Sequence, residues 1–217
     1  MLKAIKFKTK DQKIWFTSDL HINHNPKWPI PLWKKRGFDS LEEHNYTIIK
    51  SINDNVAPND ILINNGDITL NCSEEQFEGF ISQLNCKNHY LLWGNHNNPA
   101  WKIYQNAIKD YISDSRITEL YPFYYKGLIF VGNYLEMWVD KTFIVCCHYP
   151  LSIHNYCKNG SYLLVGHSHH GFNGSLPSNI NGKILDIGWD GFRKPLSFQE
   201  VKEIMDTKNV VSFDEHH

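Results

Sequence analysis

Five short apolar runs in this 217-residue chain each end in a small cluster of Asp, Asn or His: Asp19 with His21, Asp67, Asn95 with His96, His148, and His167 with His169. Carboxylate, imidazole and amide donors without a thiolate suit first-row divalent cations such as Mn, Fe, Co, Ni or Zn. With His96 set aside, Asp19, His21, Asp67, Asn95, His148, His167 and His169 are too many for one four-coordinate ion. Two ions about 3.5 to 4 Å apart, sharing a bridging carboxylate, would use them all. Two adjacent cations acidify a shared water near neutral pH, and the hydroxide then attacks an electrophile whose oxygens the pair neutralises. A phosphoester fits best, because displacement at phosphorus needs charge stabilisation more than a covalent nucleophile. His96, adjacent to Asn95, is the candidate to protonate a leaving alkoxide.

Spacing supports convergence. Asp19 and His21, like His167 and His169, are two apart, which in extended chain puts both side chains on one face. Gly66, Gly94 and Gly166 stand directly before Asp67, Asn95 and His167, where a missing Cβ permits a sharp turn or close backbone approach. The elements that must position these clusters alternate. Apolar strands are expected at 13–17, 61–63 and 89–93. Helices are expected after the capping patterns at Ser40 and Ser73, and over 99–112 with Pro99 in the first turn. The first helix shows an apolar face of Leu41, Ile48, Ile49 and Ile52. This β-α-β-α-β-α order predicts helices covering a largely parallel sheet, with ligands outside the carboxyl ends of its strands. Beyond Arg116 the pattern turns strand-rich. Gly127, Gly132 and Asp140-Lys141 separate short runs that read as antiparallel hairpins. Further strands are expected at 143–147, 162–165 and 183–187, and Ser197 opens a last helix to about Asp206. The class is α/β, and with no repeat or flexible linker the chain reads as a single domain, 1–217.

Composition excludes several alternatives. Lys plus Arg number 22 against 23 for Asp plus Glu, so no global charge draws the chain to nucleic acid or anionic membrane. Hydrophobic residues at 41% and charged residues at 21% fit a globular protein and exclude disorder and coiled coil. The five cysteines contain no C-x-x-C pair, and Cys146 and Cys147 are expected as small buried hydrophobes. No apolar stretch suits a signal peptide or membrane span, so a soluble protein of a reducing cytoplasm is expected.

Of the twelve histidines, the terminal His216 and His217 are set aside. His44 falls in a helix that looks exposed, while His89, His154 and His170 lie outside the clusters. His24 follows the first cluster and is placed to face a substrate. Prolines 26, 29 and 31 make 25–38 a surface loop rather than a helix. Lys27, Lys34, Lys35 and Arg36 make it basic, and Trp28 and Trp33 are expected to pin it to the body; a substrate-gripping lid is the alternative. Trp93 and Trp101 are expected in the core.

The ordered set Asp19-x-His21, Gly66-Asp67, Gly94-Asn95-His96, His148 and Gly166-His167-x-His169 resembles the calcineurin-like metallophosphoesterase superfamily. The opening Ser18-Asp19-Leu20-His21-Ile22-Asn23-His24 and the closing Asp186-Ile187-Gly188-Trp189-Asp190 through Ser197 are similar to its small single-domain bacterial and phage members, over about residues 14–206. The resemblance implies two facing mixed β-sheets flanked by helices, with metals at the strand ends. It implies that Asp19, His21 and His169 hold one divalent ion, that Asn95, His148 and His167 hold the other, and that Asp67 bridges them. His96 would protonate the leaving group or steady the phosphoryl oxygens. The implied activity is hydrolysis of phosphomonoesters or phosphodiesters, with nucleotides among the candidate substrates. A nuclease or cyclic-nucleotide phosphodiesterase is the alternative within enzymes, and a non-catalytic protein-binding scaffold the alternative outside them. One departure stands out: Asn97 occupies a position where the family usually has Asp or Glu. An amide there can orient His96 but cannot stabilise its imidazolium, which would favour esters with good leaving groups.

Overall fold

Short runs of β-branched and aromatic residues form the strands and capped amphipathic segments form the helices in a computed structural model that describes residues 4–24, 30–112, 119–171 and 182–211. In chain order the elements are β1 (Ile5–Phe7), β2 (Ile14–Thr17), α1 (Leu32–Lys35), α2 (Leu41–Asn55), β3 (Ile61–Asn64), α3 (Glu74–Ser82), β4 (Asn88–Leu91) and α4 (Asn98–Ile108). They continue with β5 (Phe123–Tyr125), β6 (Leu128–Phe130), β7 (Tyr134–Val139), β8 (Thr142–Cys147), β9 (Tyr162–Val165), β10 (Ile184–Asp186), α5 (Trp189–Phe192), β11 (Leu196–Ser197) and α6 (Phe198–Asp206).

The helix starts follow the capping chemistry. Ser40 accepts the Glu43 N–H at the head of α2, and Ser73 and Ser197 open α3 and α6 with complete capping boxes. Each cap satisfies backbone donors that the first helical turn leaves without partners.

The strands form two mixed sheets. One runs β1-β7-β8-β9-β10 and the other β11-β2-β3-β4-β6-β5. In the six-stranded sheet β2, β3 and β4 are parallel neighbours in a register that aligns Phe16, Ile63 and Tyr90. In the five-stranded sheet β8 and β9 are parallel, with Cys146 opposite Leu164. These five parallel strands are the ones whose carboxyl ends carry the Asp, Asn and His clusters.

Alternation along the strands assigns the faces. Phe16, Ile63 and Leu92 meet Met137, Ile144, Cys146 and Leu164 in the apolar layer between the sheets. The opposite face of the six-stranded sheet is covered by α2, α3 and α4 through Ile48, Ile52, Phe77, Phe80, Ile103 and Tyr104. Burial of each such side chain contributes about 1.5 to 3 kcal/mol. On the outer face of the five-stranded sheet, Phe143, Val145 and Cys147 pack with Leu151, and the Tyr156 ring lies 4.7 Å from that of Phe143. Cys146 and Cys147 are both buried, as expected for small apolar residues.

Four local features depart from the sequence expectations. The proline-bearing stretch contains one helical turn, α1, because Pro31 precedes it at the N-cap, where no N–H is needed. Gly132 is not a hairpin turn: β6 pairs in one sheet and β7 in the other, so the chain crosses between sheets there. His44 lies on the buried face of α2, four residues before Ile48. Trp93 is buried as expected, whereas Trp101 is 37% exposed. Among the described residues, no helix is long and apolar enough to cross a membrane.

Candidate metal centre

The loops that leave the five parallel strands are stitched together by backbone bonds. Asp19 N–H donates to Gly66 O and His21 N–H to Asp67 O, which extends the β2–β3 pairing into the loops. Asn65 joins the two sheets, because its side-chain amide donates to Leu164 O at 2.7 Å while its own carbonyl lies 2.9 Å from His148 Nδ1. His167 N–H donates back to the Asp19 carboxylate at 3.0 Å. The carboxyl ends of both sheets therefore open onto one place.

Backbone conformation there is unusual. Asp19, His21, Asp67, His167 and His169 all have positive φ, between 50° and 68°. Left-handed non-glycine residues cost about 1 to 3 kcal/mol each and persist where their surroundings over-determine them. The side chains are thus set by tight turns and not by the extended i, i+2 geometry expected from sequence. Asp19 and His21 still converge, with Asp19 Oδ1 and His21 Nε2 4.0 Å apart. His167 and His169 diverge instead: the His169 ring stacks on His21 at 5.0 Å, and the His167 ring lies 5.2 Å from that of His148.

Close approach demands the glycines. A Cβ on Gly94 would overlap the Asp67 carboxylate and stand 2.8 Å from its backbone nitrogen. One on Gly166 would run into Ser18 Oγ and come within 2.5 Å of Asp19 Oδ2.

Two donor sets result. Ligand atoms of Asp19, His21 and His169 lie within 4.8 Å of one another, as do those of Asp19, Asp67 and His148. Asn95 Oδ1 sits 2.9 Å from His148 Nε2 and 3.0 Å from His167 Nδ1, so these three side chains also meet. Asp19 is common to both sets, and Asp67 Oδ2, in the second, also approaches the first: it lies 3.8 Å from His21 Nε2 and 3.4 Å from His148 Nε2. All seven candidate ligands named from the sequence are brought together. His96 joins them at the side: its N–H donates to Asp67 Oδ1 at 2.7 Å, and its ring lies 5.7 Å from that of His21. His24 also faces the site, 5.2 Å from His21.

Charge balance in this buried place is uneven. Burial pushes the Asp19 carboxyl up to about 6, against the attraction of His148 and His169. Burial would also raise Asp67, but the His148 hydrogen bond and charge and the His96 N–H outweigh it and hold that carboxyl below its ordinary value. Burial would lower His148, yet Asp67 and Asp19 hold it above the ordinary imidazole value. His21 is pushed well down by burial and then by the charges of Arg36 and His169. Both ring nitrogens of His21 are buried without a hydrogen-bond partner among the described residues. A neutral imidazole with an orphaned nitrogen beside two carboxylates is a donor set that fits a divalent cation.

Sequence reasoning passed over the residues that hold these donors. Asp190 Oδ2 accepts from His169 Nδ1 at 2.7 Å, which leaves Nε2 for the site. Arg36, expected to be part of a solvated basic loop, is instead buried and grips both Asp190 carboxylate oxygens. Lys34 and Lys35 are exposed, and Lys27 and Trp28 fall outside the described residues. Asn97 does not orient His96: its Oδ1 accepts the Ile68 N–H at 3.2 Å, bracing the turn that carries Asp67. His89, His154 and His170 stay outside both donor sets.

Comparison with known proteins follows the same lines. The chain is 25% identical over 205 residues to the Gene 66 protein of Mycobacterium phage L5, covering 88% of this chain and 93% of that one. Its fold is similar to the crystal structure of AQ665 from Aquifex aeolicus, a protein of unknown function, with a TM-score of 0.58 at 16% identity over 89% of this chain and 99% of the other. The family profile of the calcineurin-like phosphoesterases matches residues 12–171, the segment that carries every donor described above. The chain belongs to the calcineurin-like phosphoesterase family.

Proposed function

We propose that the protein is a phosphoesterase working with two divalent transition ions, one held by Asp19, His21 and His169, the other by Asn95, His148 and His167, with Asp67 shared between them. The observation that carries this reading is the position of Asp67 Oδ2, 3.8 Å from His21 Nε2 and 3.4 Å from His148 Nε2. One carboxylate oxygen close to a histidine of each proposed ion position suits a bridge. Bound ions supply Lewis acidity: they neutralise phosphoryl oxygens and make water nucleophilic near neutral pH.

The chain's own groups do the rest. The His148 Nδ1–H points at Asn65 O, which keeps Nε2 directed into the site. The His96 ring, half-buried beside His21, is positioned by its N–H bond to Asp67 and serves as proton donor to the leaving oxygen. Asn95 and His167 are exposed, so the site is open to substrate on that side. Five unpaired cysteines agree with a reducing compartment such as the cytoplasm.

The test is metal analysis joined to a substrate panel. Protein stripped with chelator is reloaded with Mn²⁺, Ni²⁺ or Zn²⁺ and assayed on an activated monoester, an activated diester, cyclic nucleotides and single-stranded oligonucleotides. About two ions per chain and chelator-sensitive hydrolysis of at least one substrate are expected. Asp67→Ala should abolish turnover and ion uptake together. His96→Ala should keep the ions and lose about 10²- to 10⁴-fold in turnover, the usual contribution of a general acid. Wild-type protein that takes up no ion and hydrolyses nothing would overturn the proposal in favour of a scaffold.

A further inference from the structure

We infer that the two ion positions are unequal by construction, and that Arg36 is the positioning residue that pre-assembles only one of them. The inference rests on the two-ion reading above and deepens it.

A guanidinium offers five N–H donors in a rigid fork, and removing it from water is expensive unless each finds a partner. In Arg36, whose side chain is 1% exposed, all five are engaged. Nε donates to Asp190 Oδ1 at 2.9 Å, and Nη2 to Asp190 Oδ2 and Asp19 O, both at 2.7 Å. Nη1 donates to Leu20 O at 2.9 Å and faces His44 Nε2 at 2.8 Å.

The addresses of these bonds are selective. Asp19 is held through its own carbonyl, His21 through the carbonyl of the residue before it, and His169 through Asp190. These are the three residues assigned to one ion position; Asp19 also lies near Asp67 and His148 and accepts the His167 N–H, but no Arg36 bond goes to Asn95, His148 or His167 themselves. Asp19 and His21 have φ of 57° and 50°, so their turn needs outside support to persist. His44 extends that support: its Nδ1 lies 3.2 Å from Asn45 Oδ1, and Asn45 bonds both the backbone and the side chain of Asn23, where the same loop ends its turn. A network in which every donor is matched resists rearrangement.

The other position is built differently. His148 is tied to Asn65 and the His167 backbone N–H to the Asp19 carboxylate, but the Asn95 and His167 side chains are exposed and, among the described residues, hydrogen-bond to His148, to Tyr149 and to each other. Binding an ion there must order two surface side chains, which the first position has ordered in advance.

Titration calorimetry of the chelator-stripped full chain with Mn²⁺ tests this. Wild type should bind in two resolved steps, the tighter removed by His169→Ala and the weaker by Asn95→Ala. Arg36→Lys keeps the charge but loses the fork. It should weaken the tight step about 10- to 100-fold, the range for lost support behind a metal-binding histidine, and leave the weak step unchanged. Asp190→Asn, which spares the carbonyl contacts, should weaken the tight step in the same direction, and it carries the test if Arg36→Lys loses the native circular dichroism spectrum. Two steps of equal affinity, or an Arg36→Lys effect that is absent or the same on both steps, would overturn the inference while leaving the two-ion reading standing. Uptake of fewer than two ions by wild type would bring down that reading first.

Discussion

His89 sits on β4 with 1% of its surface exposed, and neither ring nitrogen has a hydrogen-bond partner among the described residues. Its registered neighbours, Leu62 and Leu128, belong to the apolar layer under the helices. Burial pushes its imidazole down from 6.5 to about 4, so the ring is neutral in the fold at every pH above that. The unfolded chain binds a proton at 6.5, and between the two values it carries more protons than the folded one. Stability from this group is therefore complete above pH 6.5 and falls on acidification, by about 1.4 kcal/mol per pH unit, to a total loss of about 3 kcal/mol near pH 4. His89→Leu removes the titration and fills the same apolar place. Urea unfolding of both proteins, with chelator present so that ions do not contribute, should show the variant at least as stable at pH 7.5. At pH 5 the advantage of the variant should have grown by about 2 kcal/mol, the part of the loss accumulated between pH 6.5 and 5. The difference between the two proteins cancels every group they share, including Asp19, whose raised value acts in the opposite direction. Parallel stability curves from pH 7.5 to 5 would refute the reasoning. Turnover at neutral pH should be unchanged, since His89 touches neither donor set.

Two further outcomes are expected. Gly94→Ala places a methyl group against the Asp67 carboxylate and 2.8 Å from the Asp67 backbone nitrogen, which cannot yield without moving the turn. It should destabilise the fold by about 1 to 3 kcal/mol and, in metal analysis, lose ion uptake more severely than the shift in melting midpoint accounts for. Ser73→Ala breaks the complete capping box of α3 without touching either donor set; chemical denaturation should show a loss of about 1 kcal/mol with hydrolysis unaffected.

The strand-end clusters were legible because the chemistry is local to each strand: an apolar run and a donor, in three of the five with a glycine between, lie within a few residues. The caps at Ser40, Ser73 and Ser197 were legible for the same reason. What escaped was decided at long range. Arg36 reads as one of several basic residues until Asp190, 154 positions away, is seen to meet it. The assignment of β6 and β7 to different sheets also leaves no local trace, since a turn at Gly132 looks alike in both cases. His44 was legible and passed over: with Ile48 and Ile52 it forms an i, i+4, i+8 series, the period of a buried helical face. The left-handed turns at Asp19 and His169 could not be read from a pattern that treats chain after a strand as still extended.

The His167 N–H that reaches Asp19 closes a span of 148 positions. A chain emerging from the ribosome holds Asp19, His21, Asp67 and Asn95 long before it holds the histidines after β8 and β9. During that interval it has fragments of a cage and no cage. On the two-ion reading, loading would wait for translation to deliver the second sheet, and capture of the ions would mark a polypeptide in which both sheets have met.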